Sequence, residues 1–224
     1  MHSRPPTGTR SGRVFNPAAL VCLCLLLAPW VSAAQVSESR DAWAWLQEVR
    51  DSLTKAPLTA SFIQVFRPAG FSGEEREDGD LYLELPDCVR WDYREPFPKS
   101  FLLCNEVVYM WNEGESSGRM HTIRVAEQPG LDLMTLQVDL LRERYEAVLT
   151  SADDDRVALD LTPLAPDSEL RSASVILDPA ARRPRSIEYT DRQGNLTRFE
   201  LTDYAPLDDS DRFQPPNDLE WLER

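Results

Sequence analysis

Eleven short segments of strand type follow one another along this 224-residue chain, and only two helical stretches accompany them. They are LTASFIQVF, GDLYLEL, CVRWDY, SFLLC and EVVYMWN, then RMHTIRV, YEAVLTS, RVALDLT, SASVILD, RSIEYTD and LTRFELTDY. Each is rich in β-branched, aliphatic or aromatic residues, and turn formers such as DGD, EGESSG, DDD and RQGN separate some of them. Ahead of the first, Ala42, Trp45, Leu46, Val49 and Leu53 share one helical face, with Ser39 as N-cap and Pro57 as terminator. A second amphipathic helix is expected over 131–141, where Leu133, Leu136, Leu140 and Leu141 recur at helical spacing after Pro129 and Gly130. This pattern predicts a mainly β fold: one large curved antiparallel sheet with helices packed on its concave side. The tail PLDDSDRFQPPNDLEWLER reads as loop, ending at most in a helical turn.

The first residues set the compartment. Arg4, Arg10 and Arg13 precede the apolar run AALVCLCLLLAPW, and VSAAQ offers a signal-peptidase cut after Ala33 or Ala34. Residues 1–34 are therefore expected to be a cleaved signal peptide and 35–224 a single exported domain; a retained anchor is the alternative. Cys22 and Cys24 follow the bulky Val21 and Leu23, which disfavours a lipidation site. Removing the three leader arginines from 24 Lys+Arg leaves 21 against 38 Asp+Glu, a mature charge of −17. Such a balance argues against nucleic acid and against docking on anionic membranes.

Only Cys88 and Cys104 remain in the mature chain, at the ends of CVRWDYREPFPKSFLLC. Each lies eight residues from Pro96, so a hairpin turning at EPFP sets them opposite one another. That register pairs Arg90 with Leu102 and Asp92 with Ser100; on the other face Val89, Trp91 and Tyr93 meet Leu103, Phe101 and Lys99. One face is greasy and the other mixed, as in a wall with one dry side. Facing cysteines in an exported protein point to a disulfide staple, with two buried free thiols as the alternative. One histidine, His121, and two cysteines are a poor supply for a metal, and none is expected.

These residues resemble the outer-membrane lipoprotein carrier family, LolA. The order of motifs is similar: Phe62 and Gln64 in an F-x-Q strand, Gly79, Leu81 and Pro86, then Arg90, Trp91, Tyr93 and Pro96, and a hydrophobic strand with Tyr109 and Trp111. SVILDPAARRPRSIEYTDRQGNLTRFEL continues the likeness through Asp191, Gly194 and Phe199. The resemblance implies an unclosed antiparallel β-barrel, a half-barrel of about eleven strands, whose hydrophobic cavity is covered by helices. It also implies a periplasmic carrier taking acylated lipoproteins from an inner-membrane ABC transporter to an outer-membrane receptor. Two departures stand out. Leu85 occupies the place of a basic residue that ties lid to barrel in well-known members, and Asn105-Glu106 replaces an Asp-Gly turn.

On this resemblance Trp91, Tyr93, Phe101, Val89, Leu83, Leu81 and Phe62 are the candidate lining of the acyl-chain cavity, with ordinary core as the alternative. Leu133, Leu136 and Leu140 are the corresponding candidates for the lid. Arg90 has the opposite parity and reads as a surface or edge residue. Catalysis is not expected, because no nucleophile, base and orienting group form a constellation. Asp153, Asp154 and Asp155 lack the glycine and ligand spacing of a calcium loop. The reading is therefore a monomeric carrier without cofactor that buries lipoprotein acyl chains. Its rivals are an envelope scaffold or sensor with a filled half-barrel, and a carrier of another lipid such as a pigment or glycolipid.

Overall fold

The computed structural model describes residues 41–124, 130–135 and 137–223. The leader, Ser39, Pro129 and Leu136 lie outside the described residues. Helix α1 (Ala42–Leu53) buries Ala42, Leu46, Val49 and Leu53. The Asp41 carboxylate, rather than Ser39, caps it by accepting from the Ala44 backbone N–H at 2.7 Å.

All eleven expected strands form, as β1 (Leu58–Arg67), β2 (Glu75–Glu84), β3 (Cys88–Glu95), β4 (Lys99–Cys104), β5 (Val107–Asn112), β6 (Ser117–Thr122), β7 (Tyr145–Ala152), β8 (Val157–Pro163), β9 (Leu170–Asp178), β10 (Arg183–Asp191) and β11 (Leu196–Pro206). A twelfth, β12 (Glu220–Glu223), lies in the tail and pairs in parallel with β6. The sheet runs β12-β6-β5-β4-β3-β2-β1-β11-β10-β9-β8-β7, and its two edge strands do not meet. The barrel is unclosed.

Curvature follows from packing. At roughly 4.8 Å per strand, β4 and β7 in a flat sheet of this order would lie nearly 40 Å apart. Yet α1 packs on β7 and β10 and also lines one cleft with Val89 of β3 and Leu103 of β4. The sheet therefore wraps its inner face around the helices. Strand alternation supplies that face: β8, for example, buries Val157, Leu159 and Leu161 and exposes Asp160 and Thr162.

The β3–β4 hairpin has the register expected from sequence, residue for residue, from Cys88 opposite Cys104 to Tyr93 opposite Lys99. Cys88 and Cys104 are bridged, with Cα atoms 4.3 Å apart. The β4–β5 turn is made by Asn105 and Glu106, both at positive φ. It keeps the tight-hairpin geometry that Asp-Gly favours, although Glu is a costly residue there. The helix expected over 131–141 is broken into α2 (Leu131–Thr135) and α3 (Val138–Arg144). Thr135 turns its hydroxyl back to the carbonyls of Leu131 and Asp132, at 3.1 and 3.3 Å, at the point where α2 stops. Such side-chain bonding accompanies a helix that bends or ends.

The tail also departs from expectation. After β11 it crosses the outer face, makes a 3-10 turn (Ser210–Phe213) and returns as β12. Phe213 is buried with Tyr82, Leu102 and Cys88 in a second, smaller apolar cluster, against which Cys104 packs. Arg90 lies beneath this strap: it donates to the Arg212 carbonyl at 3.0 Å and pairs with Asp92 at 2.7 Å. Its outward parity is as read from the sequence, but the tail covers it. Trp221 stands edge-on to Tyr109 and Trp111, and Gly118 leaves the room, since a Cβ there would lie 2.3 Å from the Trp221 ring.

The disulfide closes a 16-residue separation, worth about 3 kcal/mol in the chain-entropy account. Replacing both cysteines by alanine is expected to lower unfolding free energy by about 2–3 kcal/mol in urea titrations. Mass analysis after alkylation of unreduced mature protein should find no labelled thiol.

Candidate functional site

Three rows of side chains cross the inner face from β1 to β4. The first is Leu58, Leu83, Val89 and Leu103; the second Ala60, Leu81, Trp91 and Phe101; the third Phe62, Gly79, Tyr93 and Lys99. All seven residues read from the sequence as candidate lining fall in these rows, on one side of the sheet. Phe62, Leu81, Leu83, Val89 and Trp91 are buried, and Tyr93 and Phe101 pack against them as partly buried groups.

The third row explains the family-like motifs. Phe62 lies opposite Gly79, where a Cβ would fall 2.8 Å from the Phe62 ring and 2.1 Å from the Asp92 carbonyl. Glycine is required there to admit the ring. Phe62 then meets Tyr93 edge-on at 4.9 Å, and Tyr93 meets Phe101 at 5.7 Å. Gln64 accepts from the Tyr93 hydroxyl at 2.5 Å, joining the F-x-Q strand to the R-W-x-Y strand. Burial first, then the neighbouring Glu77 and Tyr189, holds that hydroxyl far above its ordinary pKa, so it remains a donor.

Helix residues pack in the same core as the rows. Leu133 of α2 and Val138 and Leu141 of α3 are buried in the same core as α1. Leu140, the other described lid candidate, is 39% exposed. It borders a cleft of about 600 Å³ between α1, the α2–α3 corner and the turns after β2 and β4. Its lining includes the apolar Val89, Leu103 and Val138 and the polar Gln47, Asp87 and Asp139. Its volume falls in the range of small-molecule pockets.

Polar ties hold this cover. Arg50 of α1 donates to the Thr135 carbonyl at the end of α2. Arg142 of α3 lies over the Trp43 ring of α1 at 5.6 Å. Position 85, where the resemblance led one to look for a basic tie, holds a leucine buried in the core. The cations that join the helices to one another are Arg50 on α1 and Arg142 and Arg144 on α3. Sequence reading missed Arg50 because it treated the helix only as an apolar stripe.

Asp132 is the deepest tie, 4% exposed. Its carboxylate accepts from the Tyr145 hydroxyl and from Arg144, each at 2.8 Å, and from the Leu133 N–H at 2.9 Å. Burial raises its pKa; the hydrogen bond from Tyr145, the Arg144 charge and the Leu133 and Gly130 N–H groups oppose that rise. Gly130, at φ +84°, starts this segment with Tyr189 so near that a Cβ would fall 2.6 Å from its ring.

A family model described as "Outer membrane lipoprotein carrier protein LolA" matches residues 54–215. The chain belongs to the LolA family. An outer-membrane lipoprotein carrier protein of Alkalilimnicola ehrlichii is 28% identical over 211 residues, covering 92% of this chain and 94% of that protein. Among solved structures, an uncharacterized conserved protein of Thermus thermophilus is similar in fold, with a TM-score of 0.53 and 11% identity over 80% of this chain and 97% of the other. A LolA-superfamily protein of Nitrosomonas europaea has a TM-score of 0.46 and 10% identity, over 81% of this chain and all of its own. For this LolA-family chain, membership supports a lipoprotein-carrier role at the level of the family.

Two measurements test the ties. A raised folded-state pKa at Asp132 contributes stability that is full below the ordinary carboxylate value and is lost as pH rises through the folded one. The difference in urea stability between wild type and Asp132→Asn should therefore shift in favour of wild type as pH is lowered from 7 to 4. Arg50→Met keeps the stem and removes the donor. It should cost about 1–2 kcal/mol and speed amide exchange across residues 130–135.

Proposed function

We propose that the protein is a periplasmic carrier that buries lipoprotein acyl chains against the inner face of the half-barrel and ferries them from inner to outer membrane. The observation that carries this reading is the continuity of the apolar rows with the open cleft. The row ending in Val89 and Leu103 borders the cleft directly, and Trp91 and Phe101 form the next row on the same face. Each acyl CH₂ taken from water gains about 0.8 kcal/mol, so a soluble carrier needs such a wall and must also be able to surrender it. A cover of two short helices held by a few polar ties fits that need. Donor and acceptor are, in this reading, an inner-membrane ABC transporter and an outer-membrane receptor. The function is transport by burial, without catalysis or cofactor.

A second reading has an observation in its favour. Leu46, Leu53, Leu133 and Leu141 are fully buried, so the cover already fills much of the inner face, as a scaffold or sensor would require.

Native mass spectrometry of mature protein from its own envelope fraction separates the readings. A stoichiometric complex with acylated polypeptide is expected; free lipid alone would make it a carrier of another lipid. A bare mass after incubation with a synthetic triacyl peptide would favour the scaffold. Trp91→Glu should abolish uptake of that peptide while circular dichroism stays native; uptake retained by a folded variant would remove Trp91 from the cavity.

A further inference from the structure

Trp91 carries the one buried side-chain nitrogen of the inner rows that has no hydrogen-bond partner among the described residues. The residue is 8% exposed. Tryptophan has a single donor and no acceptor, so nothing else about the side chain compensates for the loss. Buried donors are nearly always paired, and an orphan calls for an explanation. Its cross-strand neighbours on this face, Leu81 and Phe101, have no acceptor to offer. No hydrogen bond joins it to the nearby Tyr93 hydroxyl, which donates to Gln64. A phenylalanine would fill the same apolar row without stranding an N–H.

Position along the strand says what would use that donor. Val89 lines the cleft, and Trp91 follows two residues along β3 on the same face, roughly 7 Å away. Next along this face come Tyr93, Phe62 and Phe101, stacked edge to face, with the Lys99–Glu77 pair at the end of the row. An amphiphile whose tail ran along this face from the cleft would pass the polar groups that border the cleft, then one N–H, and then rings. That sequence of environments matches an acyl chain attached through a carbonyl.

We propose that the Trp91 indole N–H is the donor that recognises the carbonyl oxygen of an ester- or amide-linked acyl chain, so that the cavity selects acyl lipids over plain alkyl chains. The proposal rests on the carrier reading and refines it. When the cover is closed the N–H is stranded; when an acyl chain enters, the carbonyl satisfies it. The ligand replaces a cost that the empty protein bears, and an analogue without the carbonyl leaves that cost in place.

The test uses two soluble lipids differing in one carbonyl: 1-lauroyl-lysophosphatidylcholine and its 1-O-dodecyl ether counterpart, each titrated calorimetrically below its micelle concentration. Wild-type protein should bind the ester about three- to tenfold more tightly, the ratio expected of one neutral hydrogen bond. In Trp91→Phe the ester-to-ether ratio should fall to about one, whatever the absolute affinities. Equal binding of both lipids by the wild type overturns the proposal and leaves the carrier reading standing, and needs no variant. A ratio that survives in a folded Trp91→Phe protein overturns it equally. Failure of the wild type to bind either lipid removes the carrier reading and the proposal with it.

Discussion

An apolar sheet that curls without closing must have something to hold against its inner face. Every other feature of this protein follows from that constraint. Helices α1 and α3 pack on β7 and also border Val89 of β3 and Leu103 of β4, so they link the two ends of the curled sheet. Helices here are not additions to a finished barrel. Without their leucines, the rows through Phe62, Leu81, Val89 and Trp91 would face water, at about 25 cal/mol for each Å² left uncovered.

The β3–β4 hairpin shows how strand parity separates strength from use. Val89, Trp91 and Tyr93 point to the inner rows, while Cys88 and Arg90 belong to the outer face, under the tail. The disulfide thus braces the hairpin from behind. Phe213 and Trp221 add a second layer of cover there, so the wall bearing the inner rows is backed by a staple, a strap and an edge strand.

Much of this was legible in the sequence. Alternation and turn residues located the strands, and counting from Pro96 set the hairpin register, because parity is a strict two-residue rule. What escaped depended on partners distant in sequence. Trp221 and Phe213 were isolated aromatics in a polar tail, and four residues pairing with β6 leave no periodicity to find. The break between α2 and α3 was hidden by leucines that kept helical spacing across it; only Thr135, a β-branched residue able to bond its own backbone, hinted at a stop. Arg50 was invisible as a tie because its acceptor is a main-chain carbonyl, which sequence cannot display. The inner rows were legible as a face, but not the missing partner of Trp91, since an orphan is defined by everything around it.

In the carrier reading proposed above, the cover would have to be firm enough to hide the rows in water and loose enough to leave them. Apolar contact alone is a poor means to that end, because it is non-directional and grows with area. Hydrogen bonds from Arg50 to Thr135 and from Tyr145 and Arg144 to Asp132 are different: they act over one geometry and vanish when it is lost. Splitting the cover into five- and seven-residue helices makes each too short to hold its shape alone. In that reading an entering acyl chain would replace the leucines' contacts with the rows, and the displaced leucines and directed bonds would set the cost of opening. A neutral hydrogen bond contributes on the order of 1 kcal/mol, and one to a charged group such as Asp132 about 1.5–3 kcal/mol. A chain of a dozen methylenes, at about 0.8 kcal/mol each, is of the size needed to offset such bonds, and its removal would let them form again.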